Sequence, residues 1–203
     1  AIQLLQDLNN HDRLTRGHSE RVRAYSELLG EELGLDAVDL DRLRWAALLH
    51  DVGKLAVPEQ ILNGDGRPTE EEWEIIQGHP AEGGRLLAPL RPWLGDRISA
   101  ADQHQGRWDG KGYPFELAGD DIAYAGRLVA IADAYDTMTS VSSYKKPLPP
   151  EAARAELTTS AGGQWLLDDV RLVHLHDLRL ERWCDWRRER DHPARGLRRN
   201  PRI

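Results

Sequence analysis

Cysteine occurs once in the 203 residues, at Cys184. An internal disulfide is therefore excluded, and no metal site can be built from cysteines alone. A reducing, cytoplasmic compartment is the expectation from this usage. Lysine is almost as scarce, with Lys54, Lys111, Lys145 and Lys146 the full set. Methionine and phenylalanine appear once each, at Met138 and Phe115. No apolar run approaches the roughly 20 residues needed to cross a bilayer as a helix, so a transmembrane segment is not expected. The net charge of −7 argues against a nucleic-acid duplex as the main partner. Alternating runs that would read as strands are also missing, as is any internal repeat.

What is present is helical periodicity and histidine. Hydrophobic residues make up 40% of the chain and charged residues 30%, which suits a packed domain and excludes disorder throughout. Val22, Tyr25, Leu28, Leu29 and Leu33 share a face at helical spacing, and Val38, Leu40, Leu43, Ala46, Ala47 and His50 repeat the pattern. Thr69 and Glu72 form a capping-box signature, and Pro150 opens another helical run. Leu128, Ile131, Ala132 and Tyr135 share a face of a strongly apolar segment. The predicted class is all-α. Between two of the helices, residues 106–121 carry glycine at 106, 110, 112 and 119, which marks a shaped loop. From Val170 to Ile203 there are ten Arg, no Lys and five acidic residues. This Arg-rich end lacks apolar periodicity after Trp186 and reads as an extension and candidate disordered tail.

In "ALLHDVGKLAVP", residues 47–58, an apolar helix ends by setting His50 beside Asp51 before a turn. An imidazole and a carboxylate in apolar surroundings must be satisfied, by a metal ion or by a hydrogen-bonded partner. Three more histidines have distinctive neighbours: His18 in "RGHSERV", His79 in "IQGHPAEGG" and His104 in "DQHQGRWDG". Asp133 interrupts the apolar run "LVAIADAYD". Several imidazoles with two carboxylates on helices suit a first-row transition metal, whereas Ca²⁺ would call for oxygen ligands throughout. His11, His174, His176 and His192 match no motif and read as surface or core residues. Trp45, Trp73 and Trp93 read as packing residues on helix faces, and Trp108 as a loop anchor in preference to a base-stacking residue.

These pieces resemble an HD-GYP domain, a branch of the HD phosphohydrolase superfamily. The residues that carry the resemblance are "HSERV" at 18–22, "HDVGK" at 50–54, "HP" at 79–80, "H…RWDGKGYP" at 104–114, "IADAYDTMTS" at 131–140 and "GGQW" at 162–165. The resemblance implies an HD-type helical bundle around a metal centre, over residues 11–175. Residues 1–10 would then be the end of an upstream linker helix, arriving from a sensor or receiver domain, and 176–203 the Arg-rich extension. The implied activity is hydrolysis of cyclic di-GMP, a bacterial second messenger, in signal transduction. The implied cofactors are two divalent transition metals, iron or manganese. His18, His50, Asp51 and Asp133 would surround one ion, and Asp51, His79 and His104 the other, with Asp51 as the bridge. Lys54, Arg107 and Lys145 would meet substrate phosphate, and Asp51 and Lys54 would be catalytic. The loop Gly112-Tyr113-Pro114 would contact diguanylate cyclase domains, although its glycines read first as turn residues.

The chain departs from the family pattern in four places. A second histidine after His104 is replaced by Gln105, an uncharged and poorer donor for transition metals. A phosphate-binding arginine is replaced by Ser142, and a hydroxyl cannot reproduce a guanidinium fork. "QFDP" reads Gln164-Trp165-Leu166-Leu167, and the position of a third-metal Glu is Leu14, so two metals are the most expected. The alternative left open by Gln105 and Ser142 is a catalytically weak or inactive module that binds a cyclic dinucleotide or a cyclase partner.

Overall fold

The computed structural model describes residues 1–12, 17–64, 66–141, 146–166 and 168–170. Ten α-helices follow one another among them: α1 (Ile2–His11), α2 (His18–Glu32), α3 (Ala37–Leu48), α4 (Glu59–Leu62), α5 (Glu70–Gln77), α6 (His79–Leu87), α7 (Arg91–Leu94), α8 (Ser99–Gln103), α9 (Tyr124–Thr139) and α10 (Pro150–Thr159). Short 3₁₀ turns join several of them. The described residues contain no strand, only one isolated bridge between Ala161 and Trp165. The all-α expectation is met. Ser142, Lys145, Leu14, Cys184 and the Arg-rich extension lie outside the described residues.

The helix starts follow from capping chemistry. Asp36 accepts from the backbone N–H groups of Val38 and Asp39 at the head of α3, both at 2.9 Å. Thr69 and Glu72 close a reciprocal capping box at the head of α5. The apolar run 69–90 does not stay one helix. It breaks at Gly78 into α5 and α6, because Pro80 in the first turn of α6 has no N–H to continue a ladder.

Two apolar cores hold the bundle. The larger packs α2, α3, α9 and α10 together through Val22, Leu29, Leu43, Leu128, Ile131 and Leu157. Helix α9 is apolar nearly all round, with Leu128, Val129, Ala130, Ile131 and Ala132 all buried, so it runs through the middle of the bundle. The smaller core gathers Leu49, Val52, Leu87, Leu94 and Ile98, with Leu4 and Leu5 of α1 packed against it. Leu8 of α1 is fully buried, and His11 at its end bonds the Val57 carbonyl at 2.7 Å. Trp45 and Trp93 meet edge to face at 5.6 Å, although Trp93 remains exposed. Trp73 differs from the packing role expected of it: it is 45% exposed.

The 3₁₀ turn Val52–Ala56 lies directly against α6. Gly53 makes this approach sterically feasible. A Cβ there would lie 1.8 Å from the carbonyl oxygen of His79 and 2.5 Å from the nitrogen of Gly83. Both are backbone atoms that cannot swing aside. Gly53→Ala is therefore expected to separate the turn from α6 and destabilise the protein by more than about 4 kcal/mol. Leu43→Ala, which leaves a core cavity, should cost about 2–5 kcal/mol. Urea unfolding of both variants measures the difference; a Gly53→Ala loss smaller than that of Leu43→Ala would show that the turn can move.

Candidate metal centre

His50 and Asp51 follow the end of α3, where Leu49 leaves helical geometry. His50 is fully buried and Asp51 is 3% exposed. The adjacent turn directs both side chains toward α2, α6, α8 and α9. Among the described residues, two groups have their ligand atoms within 4.8 Å of one another: His18, His50 and Asp51, and then Asp51, His79 and His104. Asp51 belongs to both. Its Oδ2 is 3.5 Å from His50 Nε2 and 3.9 Å from His18 Nε2. Its Oδ1 is 3.4 Å from His79 Nε2 and 3.6 Å from His104 Nε2.

The hydrogen bonds assign the tautomers. His50 Nδ1 donates to the Ala47 carbonyl at 2.7 Å, His79 Nδ1 to Ile76 at 2.8 Å and His104 Nδ1 to Ala100 at 3.0 Å. Each acceptor lies three or four residues back, in the helix that ends just before the histidine. Each ring therefore turns Nε2 inward, and in the neutral form that nitrogen carries the lone pair. His50 Nε2 is buried and has no hydrogen-bond partner. His79 Nε2 and His104 Nε2 face each other at 3.2 Å, two lone pairs that repel unless a cation or proton lies between them. Buried Nε2 lone pairs aimed at a shared carboxylate fit a divalent transition metal.

His18, at the start of α2, is set differently. Its Nε2 lies 3.2 Å from Asp133 Oδ1, and its Nδ1 lies 2.7 Å from Asp136 Oδ2. Asp136 is 1% exposed and is held in turn by Arg21 and by the Ser140 hydroxyl. This carboxylate–imidazole relay orients the ring. Sequence reasoning passed over Asp136, although the signal was present. It stands three residues after Asp133 on the same helix, and Arg21 stands three after His18, so both pairs share a face.

The electrostatics follow from burial set against these pairings. Burial alone would lower the His18 pKa, but hydrogen bonds to Asp133 and Asp136 raise it to about 10. Burial pushes His50 down to about 4. Burial favours a neutral Asp51, yet the Lys54 ammonium and the surrounding imidazoles hold it well below the usual carboxylate range. Asp133 is lowered too, its burial outweighed by His18. Lys54 Nζ lies 2.7 Å from Asp51 Oδ2 and 3.6 Å from Asp12 Oδ2. Against the opposing effect of burial, these two carboxylates raise its pKa.

The centre opens onto a cleft of about 720 Å³, lined by Lys54, His79, His104, Gln105, Arg107 and Asp133, among others. That volume suits a nucleotide-sized ligand. Arg107 reaches the cleft wall already engaged, with Nε and one terminal nitrogen on the two oxygens of Asp109 at 2.9 and 2.8 Å. Gly112 must be glycine, since a Cβ would lie 2.5 Å from both the Arg107 nitrogen and the Gln105 oxygen. Tyr113, joined to Pro114 by a cis peptide, turns inward with its ring 6.4 Å from that of His79. The large apolar residue that the loop exposes is Phe115, at 50%. Trp108 is an anchor, as read from its loop. Arg127 lies over its ring at 5.5 Å, and backbone bonds from Trp108 and Asp109 to Gln164 and Gly163 tie the loop to the "GGQW" segment.

Imidazoles and carboxylates thus converge at the edge of this cleft within a helical bundle, as candidate metal ligands. The family model described as HD domain matches residues 3–168, and the chain belongs to that family. Its motifs put it in the HD-GYP branch. It is 38% identical over 187 residues to a 3'3'-cGAMP-specific phosphodiesterase 2 of Vibrio cholerae, an alignment that spans 92% of this chain and 35% of that protein. It is also 38% identical over 164 residues to a cyclic di-GMP phosphodiesterase of Thermotoga maritima, spanning 80% of this chain and 45% of that one. The chain thus covers less than half the length of these curated relatives. An HDG"Y"P protein from Bdellovibrio bacteriovorus shares the fold, with a TM-score of 0.62 at 24% identity over 77% of this chain and 50% of that one.

Two outcomes are expected from this geometry. Without metal, His18 is imidazolium at neutral pH, because its folded pKa of about 10 lies above the ordinary 6.5, while His50 is already neutral. Metal and proton compete for His18 Nε2, so affinity should rise with pH up to about 10. Titration with Mn²⁺ at pH 7.5 should release about one proton per chain. Calorimetry in buffers of different ionisation enthalpy reads that number, and zero release would exclude His18 as a ligand. Asp136→Asn should weaken metal binding about 10- to 100-fold by loosening His18. Equal affinity in the variant would show that Asp136 is not part of the relay.

Proposed function

We propose that this domain hydrolyses cyclic di-GMP with divalent metals held around Asp51. The observation that carries the reading is the convergence of four imidazole Nε2 atoms on one buried carboxylate at the edge of a 720 Å³ cleft. The two relatives, one named for 3'3'-cGAMP and one for cyclic di-GMP, support a cyclic dinucleotide as substrate class. The sharing of Asp51 between two ligand groups supports two ions with Asp51 as the bridge. Iron and manganese both suit the mixed nitrogen and oxygen donors.

His18, His50 and Asp133 would hold one ion and His79 and His104 the other. Bound ions of this kind supply Lewis acidity to a phosphodiester and to water. The protein's own part is preorganisation. The backbone carbonyls of Ala47, Ile76 and Ala100 keep three rings in the orientation that points Nε2 at the ions. Lys54 holds a fixed positive charge at the cleft wall, where phosphate charge grows in the transition state. Arg107 meets phosphate only by sharing or leaving Asp109. Lys145 is a further phosphate contact on sequence grounds. We also assign the domain to cytoplasmic signalling, downstream of a sensor or receiver domain, with the Gly112-Tyr113-Pro114 loop as the contact for a cyclase domain.

Metal-loaded protein incubated with cyclic di-GMP should give linear or mononucleotide product by chromatography; intact nucleotide would overturn the assignment. Asp51→Ala should lose both ions and all turnover, as read by elemental analysis beside the same assay. Full metal content in that variant would show that the bridge is misassigned. Gln105→His adds an imidazole beside His104 and should tighten the second ion and raise turnover. No gain in either would mean that Gln105 does not limit metal occupancy.

A further inference from the structure

Helix α5 has no buried residue, although it carries Trp73, Ile75 and Ile76. A short amphipathic helix ordinarily buries its apolar face against the core. Here Trp73, Ile76 and Gln77, at i, i+3 and i+4, line the cleft instead. Trp73 keeps 45% of its surface exposed there. Its ring meets that of Tyr113 edge to face at 6.4 Å and 76°, and Tyr113 meets His79 in the same manner at 6.4 Å. Two ring-to-ring steps therefore connect the metal centre to the indole. Tyr113 meets the indole at a steep angle without stacking on it, and Trp73 lines the cleft with much of its surface uncovered.

The platform is rigid. The Thr69–Glu72 capping box holds the first turn of α5, and Gly78 joins its last turn directly to α6, which begins at His79. The indole and a ligand histidine thus stand on adjoining helices, six residues apart. Gln77, half-buried, brings an amide that both donates and accepts.

We propose that the cleft face of α5 is a nucleobase subsite, in which Trp73 stacks on one purine of the dinucleotide and Gln77 faces its polar edge. The proposal rests on the reading of the cleft as a nucleotide site. Stacking of an aromatic side chain on a base is sequence-tolerant and strong enough to set affinity. It makes Trp73 a determinant of substrate binding, with the phosphate chemistry left to the metal centre.

The test is calorimetric titration of the full metal-loaded chain with GMP and, as a base-free probe, ribose 5-phosphate. Trp73→Ala should weaken GMP about 5- to 150-fold and leave ribose 5-phosphate unchanged. Trp73→Phe, which keeps a ring, should lose less than the alanine variant. Unchanged GMP affinity in Trp73→Ala, or an equal loss for both ligands, overturns the subsite. Circular dichroism and the melting temperature show whether the variant is folded; if Trp73→Ala is not, Trp73→Phe and Gln77→Ala carry the same comparison. Wild-type protein that binds neither ligand overturns the nucleotide reading together with the subsite. Trp73-dependent GMP binding beside intact cyclic di-GMP overturns hydrolysis alone and leaves the subsite standing.

Discussion

Everything in this domain is arranged around one buried carboxylate. Asp51 is 3% exposed and ionised, and an ionised carboxylate in an apolar core is costly unless it is paired. Lys54, three residues on, and the His18 imidazolium supply counter-charge, while the rings of His50, His79 and His104 turn Nε2 toward the place a cation would take. The elements that bring those groups in are α2, the α3 end, the α5–α6 junction and the α8 end. The two apolar cores hold these elements at the distances that Asp51 needs.

Imidazoles would not by themselves present the right nitrogen. The backbone decides that here, since His50, His79 and His104 each spend Nδ1 on a carbonyl one helical turn behind. This device needs no extra side chain, and it costs the helix nothing, because the carbonyls at helix ends lack intrahelical donors. Among the described residues no helix ends just before His18 to lend it such a carbonyl, as α5 does for His79. Asp136, on α9, takes over, with Arg21 keeping it ionised. Two solutions to one orientation problem follow from what precedes each histidine in the chain.

The wall of the cleft obeys a different logic. The loop 106–121 threads between Gln105 and Arg107 backbone at Gly112 and is tied down by "GGQW", so Tyr113 faces inward. Arg107 and Lys54 are both cations in ion pairs, which keeps net charge at the cleft moderate in the absence of substrate. Helix α5 leaves apolar surface uncovered on the same wall.

Much of this was legible in the chain itself. Helical periodicity, the capping box at Thr69 and the absence of alternating runs determined an all-α domain, because these are local properties of backbone and side chain. His50, Asp51 and Asp133 stood out because polar ligand types interrupt apolar runs, which is a local signal as well, whereas His18, His79 and His104 stood out by their neighbours and by the resemblance of their motifs to the HD-GYP pattern. The rest depended on contacts between distant segments. That Asp136 supports His18, that Arg107 is taken by Asp109, and that Gly53 lets a turn touch α6 are facts about neighbours far apart in sequence or about loop geometry. Trp73 shows the division plainly. Its spacing in α5 looks like that of a packing residue, and only the tertiary structure decided that the surface it would pack against is a cleft, because periodicity reports which residues share a face and not what that face meets.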